Sequence, residues 1–322
     1  MTSVSLEMIP RADRFLRRVR LQEYALVGIV VLLVIAGAAT KPSAFLTSDN
    51  FFTVMTQASV VGVLAIGMTF VIASGGIDLS VGSLVAAAGI AGGVLADTGG
   101  GFLFILVAIV FGAALGAVNG AAITWGRVVP FIATLAMLTI ARGLALRMSG
   151  KTPISVVTLD RVRWFGNGKF IGVPAPVIVF VMLTVVGWVV LNRTAYGRYV
   201  VATGGNREAA RIAGIRVRRT IFSVYVVSGL CAGISAVLLT GRLATASPVA
   251  GSLYELDAIA AVVIGGTSLS GGRATIGGTF IGVLTFALIF NLLNLLNLPT
   301  EFQLIVKGVI VLVAVVAQRR EN

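Results

Sequence analysis

An all-α bundle lying in a bilayer is the fold class this sequence predicts, and three features carry the expectation. Apolar residues make up 57% of the 322 and mean hydropathy is +1.02, while charged residues reach only 11%. A soluble protein carries roughly a quarter, so there is too little polar material here to cover a water-facing surface. The apolar residues also come in runs near the roughly 20 residues that an apolar bilayer core of about 30 Å demands. Finally, the 25 Lys and Arg, which set a net charge of +13, cluster between the runs. Membrane insertion leaves that pattern, whereas a nucleic-acid partner calls for a continuous basic face.

Taken in order, residues 24–39, 51–73, 81–95 and 102–124 form the first four predicted spans. The first is longer than the apolar region of a signal peptide and lacks a small-x-small cleavage site, so it reads as a span. The run 131–146 holds Arg142 near its end, and 253–264 is short and opens with Glu255 and Asp257, so either is a candidate broken or re-entrant helix. Runs 177–191, 221–240, 276–296 and 302–317 complete a count of eight to ten, taken as about ten. Arg11, Arg14, Arg17, Arg18 and Arg20 precede the first span, and Arg319 and Arg320 follow the last, which puts both termini in the cytoplasm and makes the number even. The same count keeps the loop 193–219 inside, with Arg193, Arg198, Arg207, Arg211, Arg216, Arg218 and Arg219 against Glu208 alone. It puts 147–172 outside despite Lys151, Arg161, Arg163 and Lys169, the point where the basic-loop rule fits least. The chain, 1–322, thus reads as one multi-pass membrane domain with a basic segment 1–20 and one large internal loop.

Many of the 39 glycines fall inside apolar runs at four-residue spacing, as Gly112 with Gly116, Gly229 with Gly233 and Gly278 with Gly282, a pattern that lets helix backbones approach in lipid. Two stretches share a GG-x-x-LS-x-G frame: Gly75-Gly76-Ile77-Asp78-Leu79-Ser80-Val81-Gly82 and Gly265-Gly266-Thr267-Ser268-Leu269-Ser270-Gly271-Gly272. They suggest an internal repeat, a common way of building transporters around interrupted helices. The ten-span order puts both stretches on one side, whereas an inverted repeat would put them on opposite sides.

The absence of His removes His-based acid–base catalysis, His-activated nucleophiles and His-ligated metals together. Cys231 stands alone in an apolar run and reads as a small buried hydrophobe. Gly150-Lys151-Thr152 resembles the end of a phosphate-cradling loop, but Ala145 stands where that pattern needs its first glycine. No ATP site, metal site or catalytic residue is therefore expected in this chain, and uphill transport would draw on an ion gradient or on another chain. Of the 12 acids, only Asp78, Glu255 and Asp257 sit where burial is plausible, with helix capping or pairing to a base such as Arg273 as the structural alternative to a direct role.

In the loop, Asn206 is placed to cap a short helix through Arg207, Glu208, Ala209, Ala210, Arg211, Ile212 and Ala213, closed by Gly214. Ala209, Ile212 and Ala213 share one shallow apolar face with basic flanks, suited to a groove on another protein.

These residues carry a resemblance. The GG-I-D-L-S block at Gly75, Pro130 to Leu135 with Arg142-Gly143, Thr194-Ala195-Tyr196-Gly197-Arg198 with Gly204-Gly205-Asn206, and Glu255 to Leu269 occur in this order. Over nearly its whole length the chain resembles the membrane permease subunit of bacterial ABC importers for monosaccharides, the ribose-type family. The resemblance implies a type II importer-like fold in the bacterial inner membrane. It implies a second permease copy or a paralogue, two cytosolic ATP-binding subunits that hold ATP and magnesium, and an external sugar-binding protein. Glu208-Ala209-Ala210 with Gly214 matches the start of the motif that such permeases present to their ATPases. The Ile-x-Leu-Pro that follows it in other importer classes is absent, Val224, Val226 and Val227 standing there, so the fit is to the ribose-type branch.

A sugar carries hydroxyls and no charge, so its path calls for scattered hydrogen-bonding groups. Asn119, Thr134, Asn291 and Asn294, within or ending apolar runs, are the candidates, each also explained by interhelical hydrogen bonding. The rival readings are a gradient-driven carrier, a permease for branched-chain amino acids and, most distant, an intramembrane enzyme.

Overall fold

The computed structural model describes residues 26–319, so the basic segment 1–20, the first two residues of the first predicted span and Arg320 lie outside the described residues. Every predicted run is helical. The chain opens with α1 (Leu26–Thr40) and the single turn α2 (Pro42–Phe45). Helix α3 (Ser48–Ala73) starts where the Thr47 hydroxyl accepts from the Asn50 amide at 3.1 Å. Helix α4 (Val81–Thr124) is broken at Gly100, whose φ of 63° and ψ of −160° only glycine adopts readily, and so divides into Val81–Ala96 and Gly99–Thr124. Pro130 opens α5 (Pro130–Met148), at the position where its missing amide costs nothing.

There follow β1 (Ile154–Ser155), α6 (Asp160–Asn167), the two-residue strands β2 (Lys169–Phe170) and β3 (Val173–Pro174), and α7 (Ala175–Arg193). Helices α8 (Ala195–Gly205) and α9 (Arg207–Ile212) precede α10 (Val217–Leu243), β4 (Thr245–Ala246), α11 (Tyr254–Ile264), α12 (Ile276–Leu295) and α13 (Thr300–Arg319). Among the described residues, six helices are long and apolar enough to cross a membrane: α3, the second half of α4, α5, α7, α10 and α12. Helix α1 and the first half of α4 are shorter apolar helices.

Helices α3 and α10 form the centre, 78% and 67% buried along their apolar windows against 28% for α5 and 33% for α7. Periphery and centre differ in which residues face out: Phe131, Ile132, Val185 and Leu312 are exposed, as a lipid-facing bundle requires. The glycine pairs do what their spacing predicts. A methyl group at Gly112 would lie 2.5 Å from the Gly229 carbonyl oxygen and 3.0 Å from the Gly233 Cα, so α4 and α10 touch backbone to backbone. Gly278 and Gly282 bring α12 equally close to Gly265 and Ala261 at the end of α11.

The segment 147–172 packs at the end of the bundle away from α9. There β1 pairs antiparallel with β4, and Asn167 donates to the carbonyls of Gly241 and Arg242 at the end of α10. The segment 147–172 and the loop 193–219 thus lie at opposite ends of the bundle.

Candidate functional site

At the α9 end the predicted short helix is present. Asn206 caps it, its Oδ1 accepting from the Ala209 amide at 2.9 Å, and Gly214 closes it in the left-handed region with φ of 82°. Ala209, Ile212 and Ala213 are exposed, Ile212 at 77%, so the apolar face points away from the bundle. Arg207 is exposed, and Arg211 pairs with Glu208, its Nε donating to Oε2 at 3.1 Å, which holds the Glu208 carboxyl below the usual range. Ala210 departs from the expectation: it is 4% exposed, because at its position on so short a helix the side chain turns inward. It belongs to packing and not to the presented face.

Helix α9 is fastened to the interior through α8. The Tyr196 hydroxyl lies 2.9 Å from the Ser223 hydroxyl of α10, and the last turn of α8 lays Gly204 against the Ala73 carbonyl and Gly272. Both GG stretches meet there. Gly272 donates its amide to the Ala73 oxygen at 3.0 Å, and Gly271 packs against Gly75. The two stretches touch and so lie at one level of the bundle. Their backbones are not superimposable position by position, since Gly75 takes the left-handed conformation in the first pair and Gly266 in the second, Gly76 and Gly265 remaining outside it.

Beyond that turn the first stretch runs inward, and Asp78 is fully buried. Its Oδ1 accepts from the amide and hydroxyl of Ser80, and its Oδ2 from the Ser228 hydroxyl at 2.8 Å. Asn119 donates to the Ser80 hydroxyl at 2.9 Å, and Thr134 to the Ile77 carbonyl at 3.3 Å. The unwound segment between α3 and α4 is thereby tied to α4, α5 and α10, every strong acceptor satisfied.

The other two path candidates are elsewhere. Asn291 exchanges hydrogen bonds with Asn50 at 2.7 and 3.3 Å, and the exposed Asn294 accepts from Gln303 at 2.9 Å. Asn50 opens α3, and Gly67, against which Ser228 packs, lies 17 residues further along, so at 1.5 Å per residue the two groups stand about 25 Å apart. The structure therefore brings Asn119 together with Thr134, and Asn291 with Asn294, but not all four.

Of the remaining acids, Asp257 is 7% exposed and pairs with Lys307 of α13, whose Nζ lies 2.8 Å from Oδ1 and 2.9 Å from Oδ2. Lys307 also sits 5.4 Å from the centre of the Phe290 ring. This pair borders a cavity of about 260 Å³ shared with Gln57, Arg242 and Tyr254. Glu255 is half-buried beside Arg142. The roles of Lys307 and Arg142 were not apparent from the sequence, and the only signal was a basic residue inside an otherwise apolar helix.

The family described as "Branched-chain amino acid transport system / permease component" matches residues 50–315. The ribose import permease protein RbsC of Bacillus subtilis is 44% identical, over 92% of this chain and 92% of that protein. Its counterpart in Escherichia coli K12 is 41% identical over 91% and 93%. The D-allose transport system permease protein AlsC of the same organism is 36% identical over 92% and 91%. The chain belongs to the ribose-type family of ABC importer permeases. No solved structure matches it. As a permease it is a multi-pass membrane transport subunit and not itself an enzyme, and its family works with ATPase and binding-protein subunits in general.

Proposed function

We propose that this permease carries a monosaccharide into the cytoplasm, driven by ATP that partner chains hydrolyse with magnesium. The observation that carries this reading is the identity of 41–44% with ribose import permeases along more than nine-tenths of both chains. The family description mentions branched-chain amino acids, but those relatives, and the D-allose permease, are sugar permeases by description. The chemistry of the interior is compatible with this reading, because the buried acids Asp78 and Asp257 are engaged by Ser80, Ser228 and Lys307.

In this reading all ten apolar helices serve the membrane domain. Six cross it outright, and α1, α11, α13 and the first half of α4 complete it, with both termini on the α9 side, which is cytoplasmic. Two permeases stand together, as two copies or as a copy and a paralogue. Each presents the exposed face of α9 to a cytosolic ATPase, and an external binding protein delivers the sugar at the opposite end. Closure of the ATPases pushes α9 and α8. The Gly204–Gly75–Gly271 contact passes that displacement to the unwound segment at Asp78, which is pinned to α10 through Ser228. Asn119, Thr134, Asn291 and Asn294 supply hydroxyl-binding groups at the two ends of the route, and Gly75, Gly76, Ser80, Gly265 and Gly266 shape the turns that move.

The test is purification from the native membrane by a C-terminal tag, with every stoichiometric partner identified by mass spectrometry. Recovery of a Walker-motif ATPase at one copy per permease, together with ATP-dependent uptake of labelled pentose or hexose, is expected. Recovery of the chain alone, with uptake that collapses on adding an uncoupler, would falsify the proposal in favour of a gradient-driven carrier.

A further inference from the structure

Between β4 and α11 the chain makes an irregular turn over residues 247–253. Gly251 and Leu253 both lie in the left-handed region, at φ of 66° and 68°, and a methyl group at Gly251 would meet the Gly82 carbonyl oxygen at 2.5 Å. That contact gives the turn its depth. Seven residues along α4 from Gly82, Gly89 packs against Thr240 near the end of α10, so at 1.5 Å per residue the turn sits about 10 Å inside the bundle.

Arg142, six residues and about 9 Å from the same end of α5, reaches across to it. One guanidinium nitrogen, Nη1, donates to the carbonyls of Pro248 at 2.7 Å and Ala250 at 2.9 Å, and Nη2 to the Ser252 hydroxyl at 3.4 Å. Glu255 is the acid whose charge bears on it. The guanidinium is therefore directed into the turn and does not snorkel towards the interface. Yet this surface is open: Ser252 is exposed, Val249 is 59% exposed and Leu253 39%, while Arg142 and Glu255 are half-buried.

Irregular backbone and a guanidinium do not face acyl chains at that depth, where no solvent satisfies them; they are tolerated where they line water or protein. We infer that the turn 247–253 with Arg142 is a wall of the aqueous path, and that Arg142, Ser252 and Glu255 form a polar step for the hydroxyls of a neutral polyol. A guanidinium has five donor hydrogens and the turn takes only part of them, while Ser252 and Glu255 add acceptors beside the rest. Arg142 has a second task in this arrangement, positioning the turn whose irregular backbone starts α11. The polyol rests on the function proposed above; the wetness of the wall does not.

The experiment uses membrane vesicles carrying the full assembly, with Cys231→Ser as background and Ser252→Cys probed by a charged, membrane-impermeant methanethiosulfonate. Val185→Cys of α7 and Leu312→Cys of α13, both on exposed apolar faces, are the controls. Only an ionised thiol reacts, and hydrocarbon suppresses ionisation, so Ser252→Cys is expected to react about tenfold faster than either control and to be slowed by D-ribose. Arg142→Gln is expected to lose uptake while the assembly is still recovered whole, with Arg142→Lys retaining part of it. A Ser252→Cys rate equal to the controls overturns the inference even where sugar uptake is normal. Fast labelling in vesicles that take up no sugar upholds the wet wall and counts against the proposed substrate instead.

Discussion

At Asp257 a carboxylate is held 7% exposed, with both oxygens within 3 Å of one ammonium that arrives from a different helix. Removing one member of such a pair leaves the other charged and buried, which costs about 3–5 kcal/mol, whereas removing both costs far less. Asp257→Asn and Lys307→Met are each expected to lower the unfolding midpoint in detergent, and the double variant to recover most of the loss. Additive losses measured by thermal unfolding would show that the two side chains act separately. Asp78 differs, because its partners are the neutral donors of Ser80 and Ser228, so Ser228→Ala removes one hydrogen bond and costs about 1 kcal/mol. That Asp78 and Asp257 are withdrawn from solvent could be read from their positions against apolar runs. Their partners could not: Ser228 lies 150 residues from Asp78, and Lys307 50 from Asp257, separations that carry no periodic signal.

Helix α9 was legible almost completely, since a cap, a stop and an apolar face are local features that need no knowledge of the rest of the chain. What locality could not supply was which of two adjacent alanines faces the bundle. The distinction gives an expected outcome. Ala209→Glu places a charge on the exposed face and should abolish uptake while the protein remains folded in the membrane. Ala210→Glu buries a charge at a 4% exposed position and should instead reduce the amount of folded protein. Uptake assays paired with size-exclusion profiles separate the two, and identical behaviour in both assays would remove the assignment of the exposed face. The longer helices were equally legible, because each apolar run corresponds to a helix among the described residues. Their ends were less so: the short α11 begins only after the irregular turn 247–253, whose depth in the bundle Pro248 and Gly251 do not reveal.

Over the whole molecule, the α9 end and the β1–β4 end are the two poles of the bundle. With α9 in the cytoplasm, Lys169→Cys in the Cys231→Ser background should react with an impermeant thiol reagent in intact cells, and Arg211→Cys only after permeabilisation. The reverse pattern would invert the proposed orientation. Composition, run length and capping by themselves determined that the chain lies in a bilayer, which runs are helical and where the short loop helix starts and stops, because hydrophobicity, length and capping are properties of contiguous residues. The resemblance carried by four ordered motifs pointed to the family. Only the tertiary structure decided that the two GG stretches touch, that Asn119 and Asn291 stand far apart along the bundle, and that Arg142 grips a turn more than 100 residues away. Each is a meeting of distant segments, and in lipid such meetings depend on backbone approach and on hydrogen bonds that the solvent cannot replace.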